Sequence, residues 1–262
     1  MEKIGIEEVH KRVLCIAKEF DRICTEHSIP YYMLYGTMLG AIRHKGFIPW
    51  DDDMDFGVPI WSYDKMLLFL STELKYPYRA CTFKNHPGCG TAFVKIEDQS
   101  TIIDDPRRHH ISLDNQLGIN IDIFPLCKCN KDDNQIKKFN RIKSYYSRVF
   151  VGNAQRNRWK NNIKEVLRFF APHPPLWYLE KEMDILKHLE EGPFLASLFG
   201  IYGNREFMPL DVFGKGRRYI FEDVSLIGPT DGHQYLTQLY GDYYKLPPEN
   251  KRIVHVNNVY IR

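Results

Sequence analysis

The sequence has no long apolar run, no internal repeat and no low-complexity segment. A helix that crosses a bilayer needs about 20 consecutive apolar residues, so no transmembrane segment is predicted. Residues 1–5 also lack the apolar stretch of a secretory signal. These two absences predict a cytoplasmic protein. An acceptor on a lipid carrier would place it at the inner face of the membrane.

Cysteine is scarce, with six residues scattered along 262. A disulfide-stapled secreted fold is therefore not expected, and the thiols are predicted to be reduced. Cys127 and Cys129 could form half of a zinc site. No second Cys or His pair stands at a matching distance from them, so buried or incidental thiols are the favoured interpretation.

An excess of charge of one sign is also missing. The formal net charge is +3, and the chain is 44% hydrophobic and 26% charged. This composition is typical of a folded globular protein. A mild positive charge favours anionic substrates, but it does not indicate nucleic acid, which is not expected as a partner.

One dense motif occupies residues 35–56, which read YGTMLGAIRHKGFIPWDDDMDF. Gly36 and Thr37 precede a short predicted helix, where backbone N–H groups can bind a phosphate. An alternative is that Thr37 only caps the helix, and both interpretations can hold together. An acidic cluster and an apolar strand follow.

The acids of the motif alternate with apolar residues. Because side chains of a strand alternate between its faces, Asp51, Asp53 and Asp55 are predicted to share one face. Asp122 stands alone in a second apolar strand, residues 120–125. A solvated acidic turn is the alternative, but it does not explain Asp55 or Asp122. We therefore predict that Asp53, Asp55 and Asp122 bind Mg²⁺, with Mn²⁺ as a second candidate, for phosphoryl transfer.

Three cationic residues accompany the acids. Arg43 and His44 end the short helix, where they either complement its dipole or neutralise a diphosphate. Lys95 stands within a predicted strand, residues 91–97, and could reach a phosphate. A lysine on a strand surface is the alternative for this position.

Aromatic residues crowd the same region, and most are predicted to be core. One or two could bind a quaternary ammonium group. A basic segment, residues 137–164, is predicted to be a solvated helical face, with contact to an anionic membrane as the alternative. The aromatic residues are Tyr31, Tyr32, Tyr35, Trp50, Phe56 and Trp61.

The layout predicts an α+β protein. Residues 1–130 form the predicted catalytic core, with an amphipathic helix at residues 6–27. Residues 131–262 are predicted to be a mainly helical portion that binds acceptor or donor, with helices at 176–190, 193–202 and 231–245. The two portions could also be one continuous domain.

The segment from Tyr35 to Asp55 closely resembles the LicD family, to which fukutin-type proteins are related. Residues 120–126, NIDIFPL, resemble the second acidic block of that family, and residues 235–248 resemble its closing element. The resemblance implies a nucleotidyltransferase-like mixed sheet flanked by helices. It implies Asp53 and Asp55 as magnesium ligands, Asp122 as a third ligand or the base, and Gly36 and Thr37 as phosphate-binding residues.

The resemblance further implies a phosphotransferase that uses a CDP-activated alcohol. The favoured reaction transfers phosphocholine from CDP-choline to a glycan or a lipid-linked oligosaccharide. Ribitol phosphate or glycerol phosphate could be the transferred group instead. Two further hypotheses are a nucleotidyltransferase and a catalytically silent glycan- or choline-binding protein. The sequence leaves open which phosphorus is attacked and how many subunits assemble.

Overall fold

The computed structural model of the protein describes residues 1–86, 89, 91–104, 112, 115–149, 176–187, 192–252 and 258–262. The helices in these ranges are α1 Ile6–Glu26, α2 Tyr35–Arg43, α3 Ile60–Glu73, α4 Asp133–Val149, α5 Leu176–Lys187, α6 Leu210–Phe213 and α7 Gly232–Tyr240. None of them has both the length and the apolar character that crossing a bilayer requires.

The strands are listed here in chain order. They are β1 Glu2–Lys3, β2 Tyr32–Met33, β3 Asp55–Pro59, β4 Tyr78–Cys81, β5 Val94–Asp98, β6 Thr101–Ile103, β7 Asn120–Cys129, β8 Phe194–Ser197, β9 Met208–Pro209, β10 Arg217–Phe221, β11 Val224–Gly228 and β12 Val259–Ile261.

A central sheet of seven strands carries the fold. Its order is β2-β3-β7-β5-β4, and β8 pairs with both β7 and β9. The β3–β7 pair is parallel, whereas the other pairs are antiparallel. This mixed sheet with its helices confirms the predicted α+β class, while the finer prediction of a nucleotidyltransferase-like sheet stays a prediction.

Helices α1 and α3 cover the apolar face of the sheet. Apolar residues recur along α1 at spacings of three and four, which places them on one side of the helix. Tyr63 of α3 donates its hydroxyl to the Ile123 carbonyl and accepts the Val94 N–H. Helix α1, Ile6–Glu26, confirms the predicted helix at residues 6–27. Its buried residues include Val9, Val13, Ile16, Phe20 and Ile23.

The second half of the chain contributes strands as well as helices. Strands β8 and β9 extend the central sheet, β10 and β11 form a hairpin, and β12 joins β1 and β6 in a three-stranded sheet. The predicted helix at residues 193–202 is wrong, because β8 pairs there with the far end of β7. The division at residue 130 stays a prediction, and residues 150–175 lie outside the described part of the chain.

Candidate active site

Two of the predicted carboxylates lie side by side on neighbouring strands. Asp55 begins β3, and the parallel pairing makes Asp122 of β7 its register partner. The next residues on the two strands, Phe56 and Ile123, are fully buried on the opposite face. Strand alternation therefore brings the two acids together on the polar face of the sheet.

The same cross-strand row continues through Lys95 of β5 to Cys81 of β4. Lys95 forms an ion pair with Asp122 and donates to Asn120 Oδ1 at 3.1 Å. Lys95 is only 8% exposed, so this lysine lies inside the protein rather than on a strand surface. A positive charge thus stands directly beside the acids.

Asp53 completes the predicted trio from the loop that leads into β3, and it is exposed. Burial raises the pKa of Asp55 well above its ordinary value, and the charges of Asp53, Asp122 and Asp51 raise it further. Lys95 opposes this shift. The charges of Asp53 and Asp122 therefore both act on Asp55.

Asp51 belongs to the same group but was not among the predicted ligands. Its carboxylate and those of Asp52 and Asp53 each offer an oxygen, and these oxygens lie within 4.8 Å of one another. Burial and the charges of Asp53 and Asp52 raise the pKa of Asp51 to about 8. The sequence signal that could have identified Asp51 as a ligand was its alternation with Asp53 and Asp55.

The acidic loop is held by contacts from two directions. His10 of α1 donates from Nε2 to the Asp51 carbonyl at 2.6 Å, and the Asp51 N–H donates to Ile48. The Asp122 N–H donates to the Met54 carbonyl at 2.9 Å. These contacts fix the loop to the helix on one side and to β7 on the other.

The first turn of α2 packs against this loop. The helix begins at Tyr35 after Leu34, so the prediction that Thr37 caps it is wrong. Thr37 Oγ1 instead accepts the Asp55 N–H at 2.7 Å. A Cβ atom on Gly36 would lie 2.6 Å from Asp51 Oδ2, so a larger residue at this position would displace that carboxylate. Phosphate binding by Gly36 and Thr37 stays a prediction.

Arg43 and His44 lie at the opposite end of α2. Arg43 donates from Nε to His44 Nε2 and from Nη1 to the Tyr243 carbonyl, both at 2.9 Å. Burial lowers the pKa of both side chains, and the charge of Arg43 lowers the pKa of His44 further. These contacts tie the helix end to the C-terminal segment. A role in neutralising a diphosphate stays a prediction.

An aromatic row flanks the acids. Phe124 follows Asp122 by two residues and so shares its strand face. Its ring centroid lies 4.3 Å from that of Phe93 and 5.7 Å from that of Tyr35. The ammonium of Lys95 lies 5.4 Å from the Phe93 centroid. The site therefore combines carboxylates, one buried lysine and ring faces.

The other aromatic residues near the motif divide between core and surface. Tyr31, Tyr32 and Phe56 are buried. Trp61 is 47% exposed, and the guanidinium of Arg252 lies 4.9 Å from the Trp50 ring. Tyr35 is buried as well, so core packing accounts for four of the six predicted residues.

A protein-family model matches the region that contains this site. A family model described as LicD/FKTN/FKRP, nucleotidyltransferase domain, matches residues 28–150. The matched range contains α2, the acidic loop and strands β3, β5 and β7. It therefore includes every site residue predicted from the sequence.

Comparison with known proteins extends the likeness to the whole chain. The lipopolysaccharide cholinephosphotransferase LicD of Haemophilus influenzae is 28% identical over 282 aligned residues, which cover 100% of both chains. Uncharacterised proteins of Rickettsia prowazekii and Rickettsia typhi are each 44% identical over 43 residues. That segment is 16% of this chain, and 16% and 14% of theirs, respectively.

The matches confirm the resemblance that the motif indicated. With it they confirm the predicted class of enzyme, a LicD-type phosphotransferase. Residues 28–150 match the LicD family model, and the chain is similar to a LicD protein along its whole length.

Proposed function

We propose that this protein transfers phosphocholine from CDP-choline to a hydroxyl group of a cell-surface glycan precursor, and that transfer requires Mg²⁺. The observation that carries the proposal is the convergence of Asp53, Asp55 and Asp122 from two separate segments. The full-length relative is named for a choline phosphate and for lipopolysaccharide. That name supports choline as the alcohol and a glycan as the acceptor.

The acidic group fits a hard divalent cation. Its donors are carboxylate oxygens, which Mg²⁺ and Mn²⁺ prefer. The charges of Asp51, Asp53 and Asp122 act together on the half-buried Asp55, so a bound cation would relieve their repulsion. Asp53 and Asp55 would hold the cation, with Asp51 or Asp122 beside them. When bound, Mg²⁺ neutralises charge on the transferred phosphoryl group.

The chain's own residues position the reaction. Thr37 fixes the start of β3 through the Asp55 N–H, and Lys95 holds Asp122 in place. The acceptor hydroxyl oxygen forms a bond to the phosphorus that bears choline. The bond from that phosphorus to the bridging oxygen breaks, and CMP leaves with the electron pair. The hydroxyl proton passes to a carboxylate, for which Asp122 is the candidate base.

The aromatic row supports choline as the transferred alcohol. A quaternary ammonium group is bound by ring faces within about 6 Å. Phe93, Phe124 and Tyr35 are buried rings that pack together beside β7, and we propose the edge of this cluster as the choline contact. A polyol such as ribitol or glycerol would need hydrogen-bonding groups instead.

The test is a panel of donors incubated with the protein, Mg²⁺ and an oligosaccharide acceptor. The panel contains CDP-choline, CDP-ribitol, CDP-glycerol and nucleoside triphosphates, with Mn²⁺ and EDTA as parallel conditions. We expect CMP release from CDP-choline and a phosphodiester-linked choline on the acceptor. A lipid-linked oligosaccharide presented on anionic vesicles tests for peripheral membrane contact.

The other outcomes identify the rival functions. CMP release from CDP-ribitol or CDP-glycerol alone would replace phosphocholine with another alcohol phosphate. Pyrophosphate release would indicate nucleotidyl transfer. Binding of CDP-choline in a calorimeter without Mg²⁺ and without turnover would indicate a silent binding protein.

A further inference from the structure

A second group of metal-binding side chains lies at the end of the cross-strand row. The row passes from Asp122 through Lys95 to Cys81, the last residue of β4. Beside Cys81 stand His86 and Glu97, and the three residues are 0%, 6% and 1% exposed, respectively. One ligand atom from each lies within 4.8 Å of the other two.

The separations within this group suit a tetrahedral ion. Cys81 Sγ lies 3.2 Å from Glu97 Oε1, and His86 Nε2 lies 3.7 Å from the same oxygen. Two ligands of a tetrahedral zinc ion, bound at 2.0–2.3 Å, stand about 3.3–3.8 Å apart. The two measured separations are thus close to those of a coordination shell, and all three ligand atoms lie within 4.8 Å of one another.

Cys89 is the candidate for a fourth ligand, although its Sγ now lies 3.6 Å from Thr91 Oγ1. The Cys89 N–H donates to the His86 carbonyl at 3.0 Å, so the backbones of the two residues are in contact. Cys89 is 2% exposed and belongs to one buried cluster with Cys81 and Leu117. The spacing Cys81-x₄-His86-x₂-Cys89 is short, as in loops that bind structural zinc.

The charges around the group balance when zinc is bound. Arg79 forms an ion pair with Glu97, and the Gly118 N–H donates to Glu97 Oε2 at 2.9 Å. Two thiolates neutralise Zn²⁺, a neutral histidine adds no charge, and the Arg79–Glu97 pair is neutral. A buried site must be close to neutral to avoid a large desolvation cost.

We propose that Cys81, His86, Cys89 and Glu97 bind a zinc ion that fixes β4 and the following loop to β5. The site is separate from the carboxylates that would hold Mg²⁺, because Lys95 stands between Asp122 and Cys81 in the cross-strand row. Its ligands also differ, since they are sulfur and nitrogen as well as oxygen. The alternative is a hydrogen-bonded thiol network without metal.

The first test measures zinc in protein purified with a tag that lacks histidine. The protein is expressed with added zinc, dialysed against EDTA and analysed by plasma mass spectrometry. We expect about one zinc per chain, since structural sites are closed. The zinc content per chain of the double variant Cys81→Ala, Cys89→Ala should be at least about tenfold lower. The matched control Cys127→Ala, Cys129→Ala removes two other buried thiols and should keep it.

The second test does not depend on a variant that folds. Wild-type protein is stripped of metal and reconstituted with Co²⁺, and its absorption spectrum is recorded. Thiolate ligands give an intense sulfur-to-cobalt charge-transfer band, which a carboxylate site does not give. Absence of this band, together with less than about 0.1 zinc per chain after reconstitution with equimolar Zn²⁺, would overturn the proposal.

Discussion

Asp55 and Asp122 are direct register partners on two parallel strands, so two acids from distant parts of the sequence face the same solvent-accessible side of the sheet. Burial already disfavours the charge of Asp55, and its acidic neighbours disfavour it further. This arrangement costs free energy in the absence of a cation. Its presence therefore favours a functional explanation over a structural one.

Replacing Asp55 with asparagine should separate function from stability. We expect Asp55→Asn to lower the rate of phosphocholine transfer at least about 100-fold, because a cation ligand is lost. The Tm without Mg²⁺ should stay the same or rise, because repulsion with Asp53 and Asp122 is removed. Enzyme kinetics and thermal unfolding check both parts.

The matched control is Asp64→Asn, which removes an acid on α3 that is exposed and paired with Lys187. An exposed pair contributes only about 0–1 kcal/mol, so activity and Tm should be close to wild type. Near-normal transfer by Asp55→Asn would contradict the metal role.

Added Mg²⁺ should stabilise the wild-type protein. A ligand at 100 times its Kd stabilises the native state by about 2.7 kcal/mol, which corresponds to a Tm increase of about 4 °C or more. The increase in Tm should vanish in the double variant Asp53→Asn, Asp55→Asn. Sodium chloride at matched ionic strength should not reproduce the increase. An equal shift in this double variant would place the cation elsewhere.

Thr37 should matter through its hydroxyl. Thr37→Val keeps the shape but leaves the Asp55 N–H without its acceptor, which should lower the free energy of unfolding by roughly 1–3 kcal/mol. Thr37→Ser retains the oxygen and should lose less than half of that. Equal losses in denaturant titrations of the two variants would show that the methyl group, not the hydroxyl, is responsible.

Lys95 and Asp122 should behave as a pair. Lys95→Met leaves the Asp122 carboxylate without its cation and should destabilise the protein by roughly 2–5 kcal/mol. Combining it with Asp122→Asn should recover part of that loss, and a double-mutant cycle measures the coupling. Additive effects of the two substitutions would mean that the ion pair contributes nothing.

Much of the site follows from local pattern. Alternation does not apply to Asp53, which lies in the loop before β3. Within the strand, it places Asp55 opposite Phe56, which is fully buried. The same argument singles out Asp122. These predictions hold because the side-chain period of a strand does not depend on which strand lies next to it.

Other features depend on tertiary contacts that a sequence does not display. No local signal pairs β3 with β7, or places Lys95 between Asp122 and Cys81. The helix α2 begins before Thr37, at Tyr35, whose backbone is left-handed with φ of 43°, a conformation that the local sequence does not indicate for a tyrosine. The short apolar segment of β8 fits a helix or a strand until β7 supplies its hydrogen-bonding partner.

Anomalous diffraction at the manganese edge tests the central claim most directly. Crystals grown with MnCl₂ and CDP-choline should show a peak about 2.0–2.5 Å from carboxylate oxygens of Asp55 and at least one of Asp53 and Asp122. The diphosphate should lie against the same ion. A well-ordered CDP-choline with no manganese peak at these carboxylates would contradict the account.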